Sequence, residues 1–337
     1  MIIDIHGHYT TAPAPLRAYR ANQIINLGRP TKGNVQISDE QIKASLENSQ
    51  IKQQRERGTD LTIFSPQASA MGHHFGGELT SRYWTEVNNE LIHRVCTLFP
   101  DQFAGVGQLP QSPGVSPKNC IEELRRCILE FGFLGVNVNP DPSAGMGVTP
   151  GLGDESWYPL WEALVELDVP AMIHVSTSIN PALHTTAVYY INGDTAAVFQ
   201  LLESRVFQDF PKLKIVIPHG GGAVPYQLAR YRGINVVQGR EPFEQAIKKL
   251  YFDTAIYSQD AVETLLKVVG VDNVMFASEM VGAVNAIDPQ TGRFFDDTKP
   301  YLDGISWLTD ADRQKLFEDN AKKVYSGLSK HLAKIGK

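Results

Sequence analysis

Residues 1–8 read MIIDIHGH. A short apolar run, 1–5, leads into two histidines two positions apart. In extended backbone such residues point to the same side, so His6 and His8 can present both imidazoles to one metal ion. No glycine-rich dinucleotide turn follows the run, so a doubly wound α/β sheet lacks the first turn it would use for a nucleotide. The apolar run itself recurs. Short segments rich in Ile, Val or Phe occupy 1–5, 60–64, 103–109, 134–138, 171–175, 214–217, 250–253 and 273–277. Helical candidates lie between them, at 81–98, 120–131, 157–167, 196–208 and 260–269. Strands buried on both faces and separated by helices, eight in number, predict an α/β fold of the (β/α)8 TIM-barrel type.

The chain length agrees with that architecture. A barrel typically takes about 250 residues and more with insertions, and this chain has 337. One barrel spanning 1–337 is expected, with an insertion at about 10–39. Two further irregular stretches, 139–156 and 281–299, follow the fourth and eighth apolar runs. All three fall on the C-terminal face, where barrel enzymes build their sites.

Composition excludes several classes. Lys plus Arg number 31 and Asp plus Glu 37, for a net charge of −6, and 42% of residues are hydrophobic. An acidic balance speaks against a nucleic-acid partner, and the apolar content against disorder. No stretch of about 18 apolar residues is present, so no membrane partner is expected. Three cysteines, Cys96, Cys120 and Cys127, suit a reducing compartment, and the first residues lack the pattern of a signal peptide. The expectation is a cytoplasmic enzyme without a thiol nucleophile.

The remaining chemistry sits at the ends of other apolar runs. His174 closes AMIH at 171–174. His219 follows VIP and precedes three glycines, which allow close backbone approach to a ligand. VMFASEM, 274–280, ends in Ser278 and Glu279; a carboxylate buried there needs a partner or a metal. His6, His8, His174, His219 and Glu279 thus gather at one face of the predicted barrel. Neutral imidazoles with a carboxylate suit zinc or another first-row divalent metal. His73 and His74 read as loop residues, His93 as structural, His184 as near enough to reach the site, and His331 as solvated.

With those residues in place the sequence resembles the amidohydrolase superfamily, in its branch of metal-dependent decarboxylases and hydratases. The segments DIHGHYTTAP, FSPQAS, LPQSPGV, NVNPDPS, IHVSTS, IPHGGGAVPY and FASEMVGAV carry the resemblance from Met1 to about Tyr325. Decarboxylases of this branch usually have Asp where this chain has Glu279, which favours the hydratases. The resemblance implies zinc held by His6, His8, His174 and Glu279, with Glu279 and His219 as proton-transfer groups. It implies hydration of 4-oxalomesaconate, a tricarboxylic keto acid, or its keto tautomer, to 4-carboxy-4-hydroxy-2-oxoadipate in protocatechuate or gallate breakdown. The alternative it leaves open is decarboxylation of an aromatic or muconate-semialdehyde acid; a metal-binding scaffold without catalysis is a third. Carboxylates of the substrate would be held by Ser65, Asn137, Asn139, Ser176, Tyr190, Arg230 and Arg293. Asn137 and Asn139 share a face if the fourth strand extends to Pro140. Barrels of this branch are commonly dimers, so a homodimer or higher homo-oligomer is expected, with Arg293 able to reach a neighbouring subunit.

Overall fold

A computed structural model describes residues 1–337. Nine parallel strands form the sheet: β1 (Ile3–His8), β2 (Leu61–Ser65), β3 (Phe103–Gly105), β4 (Gly107–Gln108), β5 (Val136–Val138), β6 (Ala171–Ile173), β7 (Ile215–Ile217), β8 (Tyr251–Asp253) and β9 (Val274–Met275). Each pairs with the next in chain order except across Val106. The predicted third run, 103–109, is therefore two short strands. Val106 donates its N–H to Phe64 O at 2.8 Å, and Gly107 donates to Gly135 O at 3.0 Å, so the chain passes here from one neighbour to the next. Ile5 N–H to Phe276 O, 3.0 Å, joins the first strand to the segment after the last. The expected barrel of eight strand segments is thereby closed.

β1 starts later and runs further than predicted, so His6 and His8 lie inside it. Its register against β2 slips between Asp4 and Gly7. Strict alternation would send Ile5 and His6 to opposite faces. With the irregularity, Ile5, His6 and His8 all line one small cavity with Val106, Asn137 and Met172. Such a bulge re-aims side chains next to a site.

The interior cluster contains Ile3, Ile5, Ile63, Val106, Met172, Val216 and Met275, and Tyr325, Leu328 and Leu332 close it. The C-terminal helix, Leu328–Lys334, is thus a packed plug, and His331 on it is half-buried rather than solvated. Larger clusters pack the helices against the outside of the sheet.

The stretch 10–39 is not simply a loop. It carries the helix Ala14–Ile25, opened by Pro15, whose fixed φ suits a first turn. Leu16 and Arg20 form its buried face. The helix expected at 196–208 begins earlier, at Tyr190, and ends at Leu202. Ser204 breaks it, donating its hydroxyl to Leu201 O at 2.8 Å and accepting from Val206 N at 3.2 Å. The short helix Val206–Asp209 follows. The helices Glu78–Leu98, Tyr158–Leu167 and Gln259–Val269 match their predicted positions closely.

Candidate active site

Three imidazoles meet at the C-terminal end of the barrel. The Nε2 atoms of His6 and His8 are 2.9 Å apart, those of His8 and His174 are 3.0 Å apart, and those of His174 and His6 are 3.1 Å apart. All three rings are buried. Their Nδ1 atoms decide what the Nε2 atoms carry. His174 Nδ1 lies 2.8 Å from Val175 O, which can only accept, so Nδ1 holds the proton. His6 Nδ1 lies 2.7 Å from the Asp253 carboxylate, which selects the same tautomer. His8 Nδ1 is 2.8 Å from Ser65 Oγ. Ser65 has the Pro66 carbonyl at 3.0 Å and the Gly7 carbonyl at 3.3 Å as acceptors for its own proton, which leaves its oxygen able to accept from His8. Burial and the neighbouring imidazoles hold His8 and His174 well below the usual histidine range, so these two rings are neutral. The lone pairs of the neutral His8 and His174 rings therefore converge with His6 Nε2 at about 3 Å. That repulsive arrangement is satisfied by a cation, and three nitrogens with an oxygen nearby suit a divalent metal.

Glu279 and His219 border the triangle. Donor atoms of His6, His174, His219 and Glu279 all lie within 4.8 Å of one another. Tyr257 donates its hydroxyl to Glu279 Oε2 at 2.9 Å. His219 Nδ1 is 2.8 Å from Asp194 Oδ2, while its buried Nε2 has no hydrogen-bond partner. Burial alone would lower the His219 pKa, but the Asp194 carboxylate, with Glu279 and Asp253 beyond it, raises it to about 9. A divalent cation at the triangle would oppose that charge. His219 and Glu279 each adopt a positive φ, 50° and 52°, outside regular strand or helix geometry. The three glycines after His219 make its turn possible, for all three are left-handed.

The residues expected to hold substrate fall into three groups. Tyr190 is buried, with its ring stacked 5.5 Å from His219 and edge-on 5.2 Å from His174. Asn137 is buried on β5 and donates to Ser65 Oγ at 3.1 Å. Ser65 is occupied as the support of His8. Asn139 lies past β5, which ends at Val138, so it does not share a strand face with Asn137. Its amide oxygen accepts from Asp141 N, and its backbone pairs twice with the Gln111 side chain. Ser176 accepts from Gly72 N at 3.1 Å, which ties the loop after β2 to the end of β6. Arg230 and Arg293 are exposed, and Arg293 lies over the Tyr301 ring. The structure gives neither arginine a polar contact with the cluster. His184 caps the turn leading to Tyr190 by accepting from Ala187 N. His73 is buried against Ser81, and His93 stacks on Phe131.

Sequence reading missed Asp253, Asp194 and Tyr257. Asp253 was detectable, for it ends the apolar run YFD as Glu279 follows another. Asp194 is fully buried and is the sole charged residue of its helix, a weaker signal. Nothing local marked Tyr257.

Comparison with known proteins identifies the family. A family described as amidohydrolase matches residues 3–327. The chain is 46% identical to a 2-keto-4-carboxy-3-hexenedioate hydratase of Sphingobium sp. (strain NBRC 103272 / SYK-6), covering 100% of this chain and 99% of that protein. It is 25% identical to a gamma-resorcylate decarboxylase of Polaromonas sp. (strain JS666 / ATCC BAA-500), over 83% of this chain and 87% of the other. Among solved structures, a 4-oxalomesaconate hydratase from Rhodopseudomonas palustris has a TM-score of 0.92 and 46% identity, covering 100% of this chain and 99% of that one. A 5-carboxyvanillate decarboxylase from Novosphingobium aromaticivorans, crystallised with bound manganese, has a TM-score of 0.72 at 20% identity, covering 97% of each chain.

Proposed function

This chain belongs to the amidohydrolase family, and from that premise we propose that it is a metal-dependent hydratase. It adds water across the carbon–carbon double bond of 4-oxalomesaconate, or of its keto tautomer, to give 4-carboxy-4-hydroxy-2-oxoadipate. The observation that carries the reading is a full-length identity of 46% to hydratases. The decarboxylase relatives are far more distant.

His6, His8 and His174 would hold the metal together with Glu279, and zinc is an ion that imidazoles and a carboxylate suit. When bound, a divalent ion supplies Lewis-acid polarisation of substrate oxygens. The remaining work belongs to the side chains. Glu279 takes a proton from the attacking water as the new carbon–oxygen bond forms. The π electrons move onto the conjugated ketone as an enolate. His219, whose proton the Asp194 carboxylate favours against the opposing cation, turns its unpartnered Nε2 toward that developing charge and delivers a proton to the neighbouring carbon. One water is added and no group leaves. Tyr190 and Asn137 offer donors to the substrate carboxylates, and the net charge of −6 makes such local attraction necessary.

The proposal extends to a cytoplasmic homodimer or higher homo-oligomer in the breakdown of protocatechuate- or gallate-type aromatic acids. Free Cys96, Cys120 and Cys127 support a reducing compartment, and no helix is long and apolar enough to cross a membrane. Exposed Tyr226, Val236 and Val237 support a partner surface. The test is to incubate zinc-loaded protein with 4-oxalomesaconate, following the conjugated chromophore and carbon dioxide together. Loss of chromophore without gas is expected. Gas release assigns the chain to the decarboxylases and overturns the reading.

A further inference from the structure

The turn that carries Glu279 is strained and is held from outside the site. Glu279 has φ 52° and Val281 has φ 58°. A β-branched side chain strongly disfavours that left-handed region. Two tethers hold Val281 there. Its N–H donates to Asp296 Oδ2 at 2.9 Å, and its carbonyl accepts from Thr10 Oγ1 at 2.6 Å. Asp296 is fully buried and paired with Arg57, whose guanidinium reaches Oδ1 at 2.6 Å and the Asp296 carbonyl at 2.8 Å. Arg57 ends the helix Gln50–Arg57, which lies between β1 and β2. Gly282 packs directly on Glu279: a Cβ there would collide with the Glu279 carbonyl oxygen and side chain. A shift of this turn therefore moves the carboxylate.

We propose that the buried Arg57–Asp296 pair is a positioning device for Glu279. It holds Val281 in a conformation that valine alone would leave, and so keeps the carboxylate facing His219 and the imidazole triangle. A charge-assisted hydrogen bond to an amide is strong enough for the task, and Arg57 offsets part of the burial that pushes the Asp296 carboxyl up. Arg57 and Asp296 touch neither the triangle nor His219. This inference rests on the assignment of Glu279 as the proton-transfer group.

The test is a double-mutant cycle of Asp296→Asn with Val281→Gly, since glycine adopts a positive φ freely and makes the tether dispensable. In the native background Asp296→Asn is expected to lower kcat about 10- to 100-fold, as a misplaced group does. KM should change by less than about threefold, because uniform substrate binding is untouched. In the Val281→Gly background the same substitution is expected to lower kcat by no more than about threefold, the coupling being absent. Amide hydrogen exchange of residues 278–283 and zinc content are measured on every variant. Faster exchange with zinc retained is expected for Asp296→Asn. Native kcat, or an equal loss in both backgrounds, overturns the proposal. If Asp296→Asn does not fold, Thr10→Val removes the second tether at a half-buried site and must show faster exchange and lower kcat. Native values of both overturn the proposal. If the wild-type protein hydrates no substrate, the functional reading falls, and the exchange measurements still decide whether Asp296 holds the turn.

Discussion

His219 Nε2 stands 3.8 Å from Glu279 Oε2, and that buried nitrogen has no hydrogen-bond partner. The separation is too long for a hydrogen bond and leaves an imidazole nitrogen and a carboxylate facing a common space beside the imidazole triangle, as the proposed acid and base require. Each group is held from behind, His219 by Asp194 and Glu279 by Tyr257. A donor and an acceptor fixed in this way can act on the two carbons of one double bond.

Replacing Glu279 with Gln keeps the shape and removes the proposed base. A proton-transfer group contributes about 10²- to 10⁴-fold, and kcat is expected to fall by that amount. Zinc content, measured by atomic absorption, should stay near that of the wild type, since His6, His8 and His174 remain. Native turnover would exclude Glu279 as the base.

Asp194→Asn removes the charge that raises His219. Without that carboxylate the His219 pKa moves down, so the imidazolium is lost at lower pH. The alkaline limb of the kcat/KM profile is expected to move to lower pH, with activity below that limb less affected. An unmoved limb would show that the profile reports another group.

Asp253→Asn tests the support of His6. Asparagine can still accept from Nδ1–H but no longer fixes the tautomer by charge. Losing such a partner typically weakens metal affinity about 10- to 100-fold. Competition against a chromogenic chelator measures this directly, and unchanged affinity would argue that His6 needs no carboxylate.

Burial keeps His8 and His174 neutral well below the ordinary histidine pKa, so protons compete poorly for them. Proton competition at His8 and His174 is expected to contribute little to any loss of metal affinity from about pH 8 to pH 6, where free imidazoles begin to protonate. A steep loss across that window would show that these rings titrate normally.

Gly222→Ala addresses the turn after His219. Gly222 has φ 63°, and a Cβ there would meet Ile191 O and Thr195 Oγ1 at 2.5 Å each. The obstructing Ile191 oxygen is helix backbone and yields little. The expected cost is about 1–3 kcal/mol of stability, read from chemical denaturation.

The sequence by itself determined the barrel and the positions of its chemistry. Apolar runs of strand length recur along the chain, and five polar residues sit at their ends, where a barrel gathers them on one face. That reading needs only periodicity and the rule that buried charge requires a partner. Tertiary structure decided what those residues are. Whether Nε2 or Nδ1 of His6 is free depends on Asp253, 247 positions away. The support of His8 by Ser65 likewise depends on how β1 and β2 pair, and the aim of His6 depends on a register irregularity between them. Ser65 thereby became a ligand's support, while Arg230 and Arg293 stayed at the surface. Residue type and spacing encode which groups a strand can present. Side-chain partners across the barrel are set by closure of the sheet and by packing of distant loops, and no local pattern records them.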